Sequence, residues 1–576
     1  MSTINQNTNI KNCVLEIHTD PGINYTDFNN QFIPINISND IPRWNLYNNT
    51  GVLDEPEKMD NYSISNIKNY NTDEETNYSF GILKIEMEET SIIEKPTFIK
   101  FTVDCSGSMD ELCKDKNTKM YHLKKTLINI IEYISTLENV NVYIQVDLFD
   151  DKINTIIEYI KIEKNNYLSL IEIIKNIKSN GSTNIGAALE HAKKVILKKL
   201  EENPLIRPYH IFLTDGFPTI GIDKISLLME FICYNYANIM IGVGTEHNSK
   251  MLQRFASNSR SEYRFIDNGE NAGLVYGEVL QKILRPAVEE IELTINNGEF
   301  YDWKQDKWVN KLYEDVIDSE STKIYHFRTK EPYNNEVKIN GIVSNSSITD
   351  NQLLCVVESV PDLLDYDTNK MYYTDLSKYI YRQKTLELLS RCKEYQKDRY
   401  TNEANMLLEL LSSFFKNMRK YMKKNELLND SFMITLCEDI TIAFKTLGSS
   451  DSQMFCGARQ ISQGSQYAYA PSYNDEYDNN KPIIRNNMLM RSVNIPNFNI
   501  NDEYDDNEPI VFNDMLMRSV NISNFNINNE INNDETEDED NIKNYILSKK
   551  RDESNLPNFT YSTPGKTQMM RSISKK

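Results

Sequence analysis

The stretch 101–109, FTVDCSGSM, carries the residues best suited to chemistry. Apolar and β-branched residues lead to Asp104, and hydroxyls follow at Ser106 and Ser108. Along a strand successive side chains point to opposite faces, but that alternation breaks down once the chain turns off the sheet. Residues i, i+2 and i+4 can then wrap their oxygens around one point. One carboxylate and two neutral hydroxyls suit a hard divalent cation, with Mg²⁺ the first expectation and Mn²⁺ an alternative. Two later segments supply what the turn lacks. Thr183 lies in SNGSTNIGAAL, a glycine-bearing loop that runs into an alanine- and leucine-rich helix, and Asp215 ends the apolar run YHIFLTD before Gly216.

Each of these residues also has a plainer job. An Asp at a strand end usually caps the turn that follows, serines are common turn residues, and Thr183 could be the N-cap of the helix beginning near Asn184. Singly, those plainer roles are favoured. Jointly, five such residues at expected strand ends and in a pre-helix loop favour the cation. Their order resembles the von Willebrand factor A (vWA) domain over roughly residues 95–285: strand–Asp-x-Ser-x-Ser, loop–Thr–helix, strand–Asp-Gly. The resemblance implies a metal-ion-dependent adhesion site with Asp104, Ser106, Ser108, Thr183 and Asp215 as ligands, at least one aspartate acting through water. It further implies metal-dependent capture of an Asp or Glu side chain presented by a protein partner. One departure is Ser182, where many relatives have a second glycine; it is tolerated if φ there is negative.

The elements that must position these residues alternate between strand and helix from 97 to 285, the pattern of βαβ units and a parallel sheet. In such a doubly wound α/β sheet ligands bind at the carboxyl ends of strands, where strand order reverses. A vWA domain is therefore expected over 95–286. Residues 1–94 form an N-terminal segment with β content, and the strand-like SFGILKIEMEE at 79–89 is expected to complete an antiparallel, sandwich-like module at 287–362. Residues 374–446 read as a helical bundle with apolar stripes, the Lys and Arg of its opposite face being a solvated surface. A helix is also expected over KISLLMEFICYNY. From 447 to 576 the chain reads as a largely disordered tail. Within that tail, 474–500 and 501–527 are nearly identical tandem units, and the fragment MMRSIS recurs at 569–574. Either the shared MLMRSVNI is a linear motif presented twice for avidity, or the duplication has no function.

Composition excludes several classes. A net charge of −21 disfavours nucleic-acid binding. The eight cysteines form no C-x-x-C, so reduced buried thiols are expected rather than zinc or a disulfide framework. No signal peptide or membrane span is legible, so an intracellular, cytoplasmic location is expected. None of the six histidines sits with a nucleophile elbow, and GVGTEHN lacks the spacing of a phosphate loop. No enzymatic activity is expected. The alternative is an adaptor or regulatory subunit of a larger enzyme complex, of a ubiquitin-ligase or AAA type.

Overall fold

The computed structural model describes residues 2–5, 7–19, 78–348, 350–359, 364–365, 370–371, 374–395, 401–473 and 560–574. The chain divides into one compact unit, 1–473 with 558–576, and a second, 474–557. Both tandem units lie outside the described residues, and so does the disorder expected of them.

Three strands open the chain: β1 (Ser2–Ile4), β2 (Ile10–Ile17) and β3 (Ser79–Met87). The α/β domain follows with β4 (Thr97–Asp104), α1 (Lys119–Thr136), β5 (Val142–Phe149), β6 (Ile153–Lys161), α2 (Tyr167–Lys175) and α3 (Ile185–Glu202). It closes with β7 (Arg207–Thr214), β8 (Ala237–Val243), α4 (Ser249–Phe255), β9 (Ser261–Ile266) and α5 (Ala272–Leu284). Its sheet runs β6-β5-β4-β7-β8-β9, parallel except for the edge hairpin β5–β6. All of β4 is buried, as expected of a central strand covered on both faces. Even Lys100 is enclosed there, its ammonium paired with Asp147 on β5. Chain order leaves β4 first toward β5 and then toward β7, so the switch point falls between β4 and β7. The helix expected over 224–236 is reduced to one turn, Ile225–Leu228, with a short 3₁₀ turn at Met229–Phe231.

Strands β10 (Pro286–Asn296), β11 (Gly298–Asp302), β12 (Lys307–Val309), β13 (Lys311–Asp318), β14 (Thr322–Thr329), β15 (Glu336–Val343) and β16 (Gln352–Glu358) build two further sheets with the N-terminal strands. Their orders are β1-β16-β15-β10-β13 and β12-β11-β14-β3-β2. Leu15, Leu83, Phe300 and Phe327 of one sheet share a core with Leu293, Ile339 and Cys355 of the other. Close packing goes as far as Gly81, where a Cβ would stand 2.3 Å from the Phe327 ring.

Helices α6 (Ser377–Glu394), α7 (Asn402–Lys424), α8 (Ser431–Thr446) and α9 (Ser450–Ser465) follow, with α10 (Pro564–Ile573) at the C-terminal end. Residues 450–473 and 560–574 correct the expectation of disorder for those parts of the tail. Helix α9 packs through its two glycines: a Cβ at Gly464 would stand 2.2 Å from the Trp303 indole, and one at Gly457 2.5 Å from Gln253. The solvated basic face expected of the bundle also fails at one position. Arg382 is buried, donating to the carbonyls of Ile324 and Gln463.

Candidate metal centre

Register places the two carboxylates together. Val103 pairs with Leu213, so Asp104 and Thr214 leave the sheet side by side and Asp215 follows one residue on. The Thr214 hydroxyl donates to Asp104 Oδ2 at 2.6 Å, and the Ser106 amide donates to Asp104 Oδ1 at 2.8 Å. The Ser106 and Ser108 hydroxyls are 3.1 Å apart, and Ser108 Oγ donates to Asp215 Oδ1 at 2.8 Å. Asp104, Ser106, Ser108 and Asp215 thus form one hydrogen-bonded chain across the switch point. A short 3₁₀ turn, Gly107–Asp110, sets the two serines on the same side.

Backbone hydrogen bonds hold the loop that carries Thr183. The amide of Gly107 donates to Gly181 O at 3.2 Å, and that of Asn180 to Cys105 O at 2.7 Å, which lays the 180–183 loop against the Asp104 turn. Thr183 N donates to Thr219 Oγ1 at 2.8 Å while its carbonyl accepts from the Thr219 amide at 2.9 Å. The turn needs one left-handed residue, and Gly181 supplies it at φ +82°; Ser182 is not at positive φ, so the departure from a second glycine is accommodated. Asn184, rather than Thr183, caps α3, accepting from the Ala187 amide. That frees Thr183 from the plainer role considered for it.

Electrostatics favour a cation here. Burial pushes the Asp104 carboxyl up to about 6, against the hydrogen bonds from Ser106 and Thr214 and helped by the neighbouring charge of Asp215. Two carboxylates are enclosed here, and the hydroxyls of Ser106 and Ser108 beside them offer neutral oxygen. Such a donor set fits a hard divalent cation. Cys105 does not join it: its thiol donates to Phe149 O at 3.4 Å, and burial pushes it up to about 12. Among the described residues no group of three or more His, Cys, Asp and Glu is arranged to hold a metal.

One participant has no signal in residue spacing. Lys119, at the start of α1, reaches back with Nζ 2.8 Å from Asp215 Oδ2 and also pairs with Glu111. Burial works against its charge, but Asp215 and Glu111 outweigh that and hold the ammonium above its ordinary range. A lysine at a helix N-terminus opposes the helix dipole. That misplacement is the sequence clue that it serves something else. Thr214 and Thr219 carry no such mark, being ordinary β-branched residues in the run LTDGFPT.

Fold and crest together define a class: a doubly wound α/β domain whose Asp-x-Ser-x-Ser turn faces a second aspartate across the switch point. Residues 99–278 match the von Willebrand factor type A domain family, and this segment is a vWA domain. Domains of this kind commonly mediate protein–protein interaction and are generally non-enzymatic. Among solved structures, a von Willebrand factor type A protein from Catenulispora acidiphila is similar at 14% identity, covering 63% of this chain and 85% of its own, with a TM-score of 0.42. The ArnB paralog VWA2 from Sulfolobus acidocaldarius is similar at 16%, covering 64% and 93%, with a TM-score of 0.38. Proximal thread matrix protein 1 from the mussel byssus, solved with a zinc-occupied MIDAS motif, is similar at 19%, covering 32% and 45%, with a TM-score of 0.26. No curated protein matches.

Proposed function

We propose that the crest of the vWA sheet holds a divalent cation through Asp104, Ser106, Ser108, Thr183 and Asp215, and through it binds a carboxylate of a protein partner. Mg²⁺ is the expected ion and Mn²⁺ the alternative. The single observation that carries this reading is the unbroken chain Asp104–Ser106–Ser108–Asp215 across the switch point. When bound, the cation supplies a positive centre for a ligand oxygen. The protein's own residues do the rest. The aspartates supply the charge, the serines add neutral oxygens that leave the ion electrophilic, and Lys119 neutralises Asp215 until the ion arrives.

Apolar residues beside the crest support a macromolecular partner over a free anion. Leu112 is 70% exposed and Phe217 55% exposed, the first next to Glu111 and the second two residues past Asp215. Exposed apolar surface around a polar centre is the pattern of an interaction site. The adaptor reading uses the same contact. It is favoured to the extent that the β-sandwich and helices, packed on the domain, present further surface to other subunits.

The test is a melting experiment on the full chain. Saturating Mg²⁺ should raise the melting temperature, since a ligand held 100-fold above its Kd and bound only to the folded state adds about 2.7 kcal/mol. Ser106→Ala and Asp215→Ala should lose the shift while keeping their circular dichroism. A shift that persists in Asp215→Ala, or none in the unaltered chain, would remove the metal from the reading. Pull-downs from lysate with and without EDTA then ask whether a bound partner leaves with the ion.

A further inference from the structure

The C-terminal helix α10 sits in a groove made for a backbone. On α5, Gly273 and Gly277 lie one turn apart on the same face. A Cβ at Gly277 would stand 2.5 Å from Met570 Cα, and one at Gly273 2.7 Å from Ser574 Cα. Glycine in a helix interior costs about 1 kcal/mol relative to alanine, so two on one face need a compensating contact. α10 is that contact. Its buried residues Lys566, Met569, Met570 and Ile573 follow the i, i+3, i+4, i+7 stripe of a docked amphipathic helix. Asn129 of α1 donates to Ile573 O at 2.6 Å. At the other end Thr563 caps the helix, the Gly565 amide donates to Glu320 Oε2 at 2.7 Å, and Lys566 Nζ lies 3.3 Å from Asp318 Oδ2.

The docked residues recur elsewhere in the chain. Met569, Met570 and Ile573 correspond to Leu489, Met490 and Val493 in the first tandem unit, and to Leu516, Met517 and Val520 in the second. The intervening Arg571-Ser572 recurs as Arg491-Ser492 and Arg518-Ser519. Every apolar residue that enters the groove is therefore matched in type and spacing. The anchors at the N-terminal end are not. Asn486 and Asn513 stand where α10 has Lys566, and Ile483 and Ile510 stand where it has its Thr563 cap.

We propose that the α1–α5 groove is a receptor for this motif, and that the copies at 488–493 and 515–520 of one molecule dock in the groove of a second copy of the chain once its own α10 has left. Each molecule then carries one groove and three copies of the motif. The α10 copy is the resident, held by its ion pairs and cap and by being tethered nearby. The repeats are the linkers, and two on one chain give avidity once grooves open. Helix-in-groove docking supplies the binding energy through the apolar stripe. Loss of the cap and the buried charge contacts should make a repeat peptide about tenfold weaker than the α10 peptide. This inference is independent of the metal site.

The experiment opens the groove in the full chain with Met570→Asp and measures mass by light scattering. The unaltered chain stays monomeric, and Met570→Asp associates in a concentration-dependent way. Excess synthetic peptide 560–576 dissolves the assemblies, and a labelled peptide of residues 484–500 binds the variant. Deleting 474–527 in the same background abolishes association, and adding Gly277→Leu abolishes peptide binding. Association that survives the deletion, or peptide binding that survives Gly277→Leu, overturns the proposal. So does a Met570→Asp chain that neither associates nor binds the peptide. Should Met570→Asp unfold the protein, a chain lacking 560–576 is read by the same peptide binding, with the same outcomes deciding.

Discussion

Lys119 makes the crest of this domain a contested site rather than a bare one. Its ammonium lies 2.8 Å from Asp215, so a cation arriving there meets a charge already in place. Two unit charges about 4 Å apart interact by about 4 kcal/mol at the effective dielectric of a protein surface. Removing the ammonium should therefore tighten ion binding. Lys119→Met is expected to raise Mg²⁺ affinity at least about tenfold by calorimetry, and equal or weaker binding would show that Lys119 does not oppose the ion. The same change breaks a buried pair. Without metal the variant should lose roughly 3–5 kcal/mol of stability, read by denaturant unfolding, and metal should restore more stability than it adds to the unaltered chain.

At the level of elements, the proposed site depends on three connections meeting at one edge of the sheet. The 180–183 loop is the least secured of them, being held to the Asp104 turn through backbone hydrogen bonds and a single left-handed glycine. Gly181→Ala should cost about 1–2 kcal/mol for forcing a Cβ into that conformation. Its methyl would also stand 3.1 Å from the Asp150 side chain. The expected signature is a lower melting temperature together with a smaller Mg²⁺-induced shift, because Thr183 moves with the loop. If the shift is unchanged while stability falls, Thr183 is not part of the ion's surroundings. Docking of α9 and the segment after it is a second connection. Tyr467 donates to Glu262 of β9 at 2.6 Å, the Ala468 amide donates to Glu278 of α5 at 2.7 Å, and the Ser472 amide to Asp267 at 2.8 Å.

Across the whole molecule that second connection makes stability depend on pH. Burial works to raise the Glu262 carboxyl, but Lys282, Arg264 and the Tyr467 hydroxyl outweigh it and bring it down to about 2. A depressed carboxyl stabilises the fold above its ordinary value near 4.5, and that contribution is lost as the pH falls through about 2. Glu262→Gln should flatten the decline of the melting temperature below pH 4.5, and a slope identical to that of the unaltered chain would locate the acid sensitivity elsewhere. Removing 474–557 should leave the Mg²⁺ shift intact, since those residues form a unit separate from the vWA domain. A lost shift would mean that the removed segment takes part in the site. No helix among the described residues is long and apolar enough to cross a membrane.

Local spacing made much of this legible. Asp104, Ser106 and Ser108 lie within one turn, and the alternating strands and helices from 97 to 285 imply that Asp215 and the 180–183 loop return to the same edge. Short-range periodicity encodes such features because each element buries its own stripe or strand face. The partners of those residues were not legible in the same way. Lys119 reaches Asp215 because the start of α1 folds back over the end of β7, and no local pattern records that approach. Helices α9 and α10 were equally hidden. Each packs on a surface distant in sequence, α9 on Trp303 and α10 on the bare glycines of α5, which local spacing does not record. Nearest-neighbour chemistry wrote the strands, the turn and its oxygens; long-range packing chose which charge sits among them and where α9 and α10 dock.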